Sequence, residues 1–220
     1  MNEVLRLVGN ATLQTLIMVF FSTVFSMLLG LPVGVLLCVS LPEDQGGIKP
    51  MKVLNQVLGR IVNVLRSFPF LILMIVLFPL SRLILGKSIG TAATIVPLSI
   101  AAAPFVARVI ESALKEVDPG VIQAAKAMGS TNKQIVFKVL LPEAMPSLVS
   151  GVTLTIINLI GYSAMAGTIG GGGLGDLAIR YGFQRWRTDV LLAAVVVILV
   201  MVEIIQVIGN KISADLMEKR

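Results

Sequence analysis

Long apolar runs separated by short polar segments make up most of the chain. The first run, Leu7 to Pro42, contains no charged residue. About 20 apolar residues suffice to cross a hydrocarbon core about 30 Å thick, so this run is too long for one straight crossing. We therefore predict that residues Asn2 to Gln14 lie partly on the membrane surface and that the first membrane helix runs from about Thr15 to Ser40.

Four further apolar stretches predict membrane helices, of which the second is the weakest. Arg60 and Arg66 interrupt this second stretch, and we expect Pro69 and Pro79 to break its helix. The predicted second to fifth spans are Val57–Leu80, Ser88–Ala107, Ala144 to about Ala166, and Val190–Gly209. The pattern therefore predicts an all-α membrane protein with about five transmembrane helices in a single domain, residues 1–220.

The composition supports a membrane protein and excludes several kinds of chemistry. Hydrophobic residues make up 56% of the chain and charged residues 14%, far from the balance of a soluble domain. Histidine is absent, which removes the commonest general base and metal ligand. Cys38 is the single cysteine, so no disulfide framework is predicted. We predict no catalytic, cofactor-binding or metal-binding residue in this chain.

The basic residues predict the orientation, since cytoplasmic segments carry an excess of Lys and Arg. With the N-terminus outside, the cytoplasmic segments hold Lys49, Lys52, Arg60, Arg108, Lys115, Lys126, Lys133, Lys138, Lys211, Lys219 and Arg220, while the outer segments hold Arg6, Arg82, Lys87, Arg180, Arg185 and Arg187. This asymmetry favours an outer N-terminus and a cytoplasmic C-terminus. It also places a polar loop at about residues 118–142 in the cytoplasm.

This polar loop carries its own helix signals. Asp118 is an N-cap residue with Pro119 at the first helical position, which predicts a short helix over Gly120–Met128. Gly129 supplies a left-handed residue to end it, and the Thr131–Gln134 spacing is that of a capping box. A connector between spans needs only a few residues. We therefore predict that the loop contacts a partner, with contact to anionic headgroups as the alternative.

The same loop contains a spaced motif, in which Gln123-Ala124-Ala125 is followed by Gly129 and then by Leu141-Pro142. The motif resembles the Glu-Ala-Ala loop of the membrane subunits of bacterial ABC importers, with Gln123 standing where the family commonly has Glu. In that family the loop is a coupling helix that docks into a cleft on the ATPase subunit. The resemblance implies an ATPase-coupling site formed by Gln123, Ala124, Ala125, Met128, Gly129, Leu141 and Pro142.

Five further segments make the resemblance specific to one group of these permeases. They are Gly30-Leu-Pro-Val-Gly-Val-Leu-Leu, Arg66-Ser-Phe-Pro-Phe, Ala103-Pro-Phe-Val-Ala-Arg, Leu140-Leu-Pro-Glu-Ala and Gly161-Tyr-Ser-Ala-Met. Together they resemble the methionine-import permeases, which implies a type I ABC importer permease fold in the bacterial plasma membrane. It also implies a homodimer, two identical ATPase subunits that use ATP and Mg²⁺, and an external binding protein. An importer for another amino acid stays open.

Tyr162, Ser163 and Met165 are the residues that we predict to line the translocation pathway or its gate. They lie at the predicted outer end of the fourth span, where a flexible thioether can contact a soft, apolar substrate. Most methionines in an apolar chain serve packing. The Gly161-Tyr-Ser-Ala-Met context is what favours a role for Met165.

Other motifs point away from rival functions. Gly170 to Gly175 has Gly-x-Gly-x-x-Gly spacing, but it follows a predicted membrane helix and not a strand, so we predict an outward-facing loop. The sequence has no Walker motif, so ATP hydrolysis must come from another polypeptide. A membrane-embedded lipid-modifying enzyme would need clustered acids or histidines, and a passive channel would not need a folded docking loop.

Several residues carry two interpretations. Gly30 and Gly34 form a Gly-x-x-x-Gly patch that suits close packing within the subunit or, less often, a dimer seam. Arg66 and Glu203 lie in apolar stretches, where we expect them to extend to the interface in preference to facing a cavity. Trp186 and Tyr181 are predicted interface anchors.

Overall fold

The computed structural model describes residues 2–42, 46–87 and 89–218. Within these ranges every regular element is helical, as predicted. The helices are α1 (Asn2–Val39), α2 (Lys52–Ser67), α3 (Phe70–Leu85), α4 (Thr91–Lys115), α5 (Pro119–Ala127), α6 (Asn132–Gln134), α7 (Leu141–Glu143), α8 (Met145–Gly167), α9 (Gly173–Leu177) and α10 (Thr188–Glu218), with π-helical segments at Ile135–Leu140 and Ala178–Phe183. Helices α1, α4, α8 and α10 are each long and apolar enough to cross a membrane, and the α2–α3 pair would make a fifth span.

The first helix differs from its prediction. α1 is one continuous helix of 38 residues, so the expected boundary near Thr15 is wrong. Val8 and Ala11, in its N-terminal part, are buried in a cluster with Leu174 and Leu177. Contacts with residues far along the chain therefore hold the N-terminal turns in the same helix.

The second predicted span is two helices. α2 and α3 meet at a bend of 103°, and Pro69 precedes the first residue of α3, so the predicted break there is confirmed. The break predicted at Pro79 is wrong, because α3 continues through this proline to Leu85. One missing N–H is tolerated within a membrane helix when neighbouring groups satisfy the freed carbonyl.

The later helices lie where predicted, and two of them, α4 and α10, extend beyond a predicted end. Ser88, where the third span was expected to begin, lies outside the described residues, as do Lys219 and Arg220. α4 continues past Ala107 to Lys115, because the charges that suggested its end pair with one another along the helix. α8 agrees with its prediction to within about one turn, whereas α10 extends beyond both predicted ends.

The chain forms two compact units. Unit 1 comprises Met1–Ser26, Phe68–Ala102 and Leu154–Val207, and unit 2 comprises Met27–Ser67, Ala103–Thr153 and Ile208–Arg220. The core of unit 1 includes Val19, Met74, Leu98, Leu159 and Ile160. The core of unit 2 includes Val106, Ile110, Leu114, Ala125, Ile135 and Leu140. The predicted coupling loop thus belongs to unit 2 and the predicted pathway residues to unit 1.

Gly30 and Gly34 pack against α4 within unit 2. A Cβ atom at Gly30 would lie 2.8 Å from the carbonyl oxygen of Ala103, and one at Gly34 would lie 2.6 Å from that of Ala107. Only glycine permits this approach, since real Cβ atoms do not come so close to a backbone oxygen. The patch therefore serves packing within the chain, which was the more common of its two interpretations.

Candidate functional site

Helix α5 of the predicted coupling loop is capped at both ends. The Gly120 N–H donates to Asp118 Oδ1 at 2.7 Å, which confirms the N-cap, and Pro119 occupies the first position. At the other end Gly129 has φ +77°. Its N–H donates to the carbonyl of Lys126 at 3.0 Å, and the Ser130 N–H donates to that of Ala125 at 3.1 Å. A left-handed glycine with these bonds ends the helix in the manner of a Schellman motif.

The capping box after α5 is also present. The Thr131 N–H donates to Gln134 Oε1 at 2.8 Å, and the Gln134 N–H donates to Thr131 Oγ1 at 3.4 Å. The helix that begins here continues into the π-helical segment Ile135–Leu140 and then α7. The sequence predicted the start of this second helix but not its π-helical part.

The loop has a buried side and an exposed side. Ala125 is 2% exposed and packs with Ile135 and Leu140 in the core of unit 2. Gln123 and Ala124 are exposed on α5, and Met128 at its C-terminal end is 79% exposed. The loop therefore presents a small, partly apolar surface while its opposite side anchors it.

The remaining predicted coupling residues divide in the same way. Gly129 and Pro142 are exposed, whereas Leu141 is half-buried against the core. Sequence reasoning missed Phe137, which is 69% exposed, although Ile135 and Val136 of the same π-helical segment are buried. The run Ile-Val-Phe-Lys-Val-Leu-Leu that begins at Ile135 is apolar apart from Lys138, so the sequence carried no signal that Phe137 would be its exposed member.

A cavity of about 280 Å³ lies beside the start of α5 in unit 2. Its lining includes Cys38, Leu41, Leu114, Lys115 and Ile122. Most of these side chains are apolar, and the Cys38 thiol is buried and free. Among the described residues, no group of three or more Cys, Asp and Glu side chains is arranged to hold a metal ion.

The predicted pathway residues of unit 1 have different surroundings. The Tyr162 ring stacks on Phe70 with centroids 3.8 Å apart. Ser163 is buried, and its hydroxyl donates to the carbonyl of Ile160 at 2.7 Å. Met165 is 47% exposed, one turn after Gly161, where an added Cβ would meet no atom within 4 Å. The structure therefore leaves Met165 accessible, whereas Tyr162 and Ser163 are packed within the unit.

The glycine-rich segment forms a tight loop held by α1. Gly170, Gly172 and Gly173 all have positive φ angles. The Gly173 N–H donates to Gln14 Oε1, and the Leu174 N–H donates to Thr15 Oγ1, each at 2.9 Å. These side chains satisfy the N-terminal donors of α9, so the glycines shape a loop that follows a helix.

The segment before α10 exposes an aromatic side chain among arginines. Trp186 is 83% exposed and has φ +56°, while the Arg185 guanidinium lies 4.5 Å from the ring centroid of Tyr181. Arg187 donates to Asp189 Oδ2 at 2.7 Å, and this hydrogen bond raises the pKa of Arg187. The exposed indole and the ring–cation contact suit the interface role predicted for Trp186 and Tyr181.

Known proteins resemble this chain along nearly its whole length. Residues 30–213 match the family described as "Binding-protein-dependent transport system inner membrane component". The chain is 52% identical over 201 residues to the "Probable D-methionine transport system permease protein MetI" of Vibrio cholerae, covering 91% of this chain and 88% of that protein. It is 48% identical over 177 residues to the "Methionine import system permease protein MetP" of Bacillus subtilis, covering 80% and 79%.

Solved structures give the same result for the fold. A chain of the MetNI methionine ABC transporter, in inward-facing conformations, superimposes with a TM-score of 0.95 at 44% identity, covering 98% of this chain and 99% of that chain. An amino acid ABC transporter chain superimposes with a TM-score of 0.73 at 20% identity, covering 100% and 97%, which shows the fold alone. The chain has the type I importer permease fold and belongs to the binding-protein-dependent transport system inner membrane component family.

Proposed function

We propose that this chain is the membrane-spanning permease subunit of an ATP-driven importer whose cargo is methionine. The observation that carries the proposal is the loop from α5 to α7, a preformed helix with Gln123, Ala124 and Met128 exposed in a family of transport membrane components. Two relatives, 52% and 48% identical, are named as methionine permeases, which supports methionine over another amino acid.

The proposed coupling site is the exposed side of this loop. α5 is anchored through Ala125 and Ile122, so its outer side is free to enter a cleft on an ATPase subunit. Ala124 keeps this side thin, which lets a partner approach the helix backbone closely. Gln123 takes the position of a family glutamate and offers an amide in place of a carboxylate.

The sequence indicates that this chain forms the transport path and that another polypeptide binds and hydrolyses ATP. Without a Walker motif this chain has no phosphate-binding loop of that type, so ATP and Mg²⁺ would be bound by two copies of a separate ATPase. We also propose an extracytoplasmic binding protein as the source of substrate and membrane lipid as the surrounding solvent. The charge asymmetry supports a plasma-membrane location with the N-terminus outside and the C-terminus in the cytoplasm.

The substrate path would lie between two copies of the chain. Five helices are too few to enclose a route of their own, and closed two-fold symmetry is the common form of homo-oligomers. Met165 and Gly161 share an exposed face of α8, with Tyr162 and Ser163 packed beside them. A thioether on this face can contact the soft side chain of methionine without a directional bond.

Uptake of labelled methionine tests the cargo. The chain, its ATPase and its binding protein would be produced in cells that lack their own methionine importers. We expect ATP-dependent uptake that unlabelled methionine suppresses and other unlabelled amino acids do not. If another unlabelled amino acid suppresses uptake more strongly than methionine does, that amino acid would be the cargo.

Hydrolysis measurements test the division of labour. We expect the purified chain alone to neither bind nor hydrolyse ATP, with hydrolysis appearing only when the ATPase is added. A catalytically inactive ATPase variant serves as the control for contamination. Hydrolysis that persists with this inactive partner would contradict the proposal.

A further inference from the structure

Unit 2 contains a buried carboxylate that the proposed coupling site does not use. The Glu111 side chain, on α4, is only 5% exposed. Arg108 Nη1 lies 2.5 Å from Glu111 Oε2, and Lys115 Nζ lies 2.7 Å from Glu111 Oε1. Each carboxylate oxygen of Glu111 thus has its own cation, one turn away on either side.

Arg108 connects this carboxylate to a second helix. Its Nη2 donates to the backbone carbonyl of Gly59 at 3.1 Å and to Asn63 Oδ1 at 2.9 Å, both on α2. Nη1 is directed to Glu111 and Nη2 to α2, so one planar guanidinium joins the two helices in a fixed geometry. A lysine ammonium carries its three donors on one nitrogen and cannot reproduce this planar fork.

The other end of the network lies at the base of the coupling loop. Lys115 is the last residue of α4, and α5 begins at Pro119. Both residues line the cavity beside the start of α5. In addition, Ser147 Oγ donates to Glu116 Oε2 at 2.5 Å, which ties the end of α4 to α8. Polar contacts therefore extend from α2 along α4 to the start of the loop.

Stability alone is a poor explanation for this network. A buried ion pair contributes no more to stability, as a rule, than well-packed apolar residues of the same size. In some proteins buried ionic groups are retained because they fix one specific geometry. We infer that Arg108 and Glu111 are positioning residues that fix α2 to the base of the coupling loop, so that movement of the loop during ATP hydrolysis is passed to α2. This inference rests on the proposed function.

Variants at the α2 end test the inference with little risk to folding, since Asn63 is exposed. Asn63→Leu removes the side-chain acceptor for Arg108 and leaves only the Gly59 carbonyl on α2, whereas Asn63→Asp keeps an acceptor in the same place. Arg108→Gln removes the fork itself. Arg60→Gln is the matched control, because it removes one exposed positive charge from α2.

Each variant would be studied as the complete complex with ATPase and binding protein in liposomes. Methionine uptake and ATP hydrolysis are measured on the same sample, and their ratio gives the molecules imported per ATP. We expect this ratio to fall about 2- to 30-fold in Asn63→Leu and Arg108→Gln. Asn63→Asp and Arg60→Gln should keep the wild-type ratio.

The outcomes separate the inference from the proposed function. An unchanged ratio in Asn63→Leu and Arg108→Gln would overturn the inference, and so would a proportional loss of uptake and hydrolysis, which indicates a purely structural role. A fall in Asn63→Leu that Asn63→Asp does not show supports it, even where Arg108→Gln fails to assemble. Failure of the wild-type complex to import methionine would instead contradict the proposed function.

Discussion

The coupling loop of unit 2 and the glycine-rich segment of unit 1 use the same residue type for different reasons. Gly129 in the loop has φ +77°, and an added Cβ there would meet no atom within 4 Å, so conformation alone requires glycine. Gly175 has no positive φ, but a Cβ at this position would collide with the backbone of Ala164. Local conformation determines the first glycine, and contact with another helix determines the second.

This difference explains why one region could be predicted from sequence and the other could not. Every bond that caps α5 joins residues at most five positions apart. The loop of unit 1 depends on Gln14 and Thr15, which are 159 positions away from their partners Gly173 and Leu174. A sequence motif can reveal capping bonds between residues that are close in sequence. Bonds between residues 159 positions apart become visible only in the folded structure.

The largest effect is expected at Gly175. Gly175→Val places a branched side chain against the backbone of Ala164, which cannot move as a flexible side chain could, and we expect a loss of about 3 kcal/mol or more of stability. The measurement is membrane abundance together with thermal unfolding of the purified chain. Gly161→Ala is the matched control, since nothing lies within 4 Å of its Cβ. Equal abundance of the two variants would contradict the contact-based explanation.

A smaller effect is expected at Gly129. Gly129→Val forces a β-branched residue into the left-handed region at a cost of roughly 1–2 kcal/mol, which should disturb the end of α5 and weaken coupling. Gly129→Asn is the control, because asparagine tolerates this conformation. Co-purification of the ATPase and methionine uptake are compared at matched abundance. Normal ATPase binding and normal uptake in Gly129→Val would contradict the assignment of this loop as the coupling site.

The smallest effect on stability is expected at Met165. Met165→Ala truncates a half-exposed side chain and leaves little new cavity, so we expect a loss below about 1 kcal/mol. If the residue lines a path on the two-fold axis, two thioethers disappear from one site, and the rate of uptake or the competition profile should change. An unchanged rate of uptake and competition profile at matched abundance would mean that Met165 serves only packing. A lower membrane abundance of the variant would mean that its role is structural.

Much of the architecture follows from local patterns. The all-α fold, the break at Pro69 and the capping residues Asp118, Gly129 and Thr131 were all predicted, because each depends on composition or on neighbours within a few positions. The error at Thr15 arises because contacts with distant residues keep the helix continuous there, whereas the error at Pro79 arises because a membrane helix tolerates one missing N–H.

Some features of the candidate sites could likewise be predicted from local sequence, and others could not. Gln123 and Met128 are exposed and Ala125 is buried, so the short helix has one anchored side and one exposed side that includes Ala124. The burial of Glu111 was not predicted, because the third span was expected to end at Ala107, before any of its charges. The i, i+3 and i, i+4 spacing of Arg108, Glu111 and Lys115 was the signal that could have extended the helix.

The double capping of α5 has a thermodynamic consequence for assembly. A segment that folds only on binding loses the conformational entropy of each ordered residue, about 1–2 kcal/mol per residue for the backbone, from its affinity. α5 holds its shape through Asp118, the bonds at Gly129 and Ser130, and the buried Ala125. The docking that we propose therefore starts from a preorganised surface and avoids the cost of ordering the backbone of this helix.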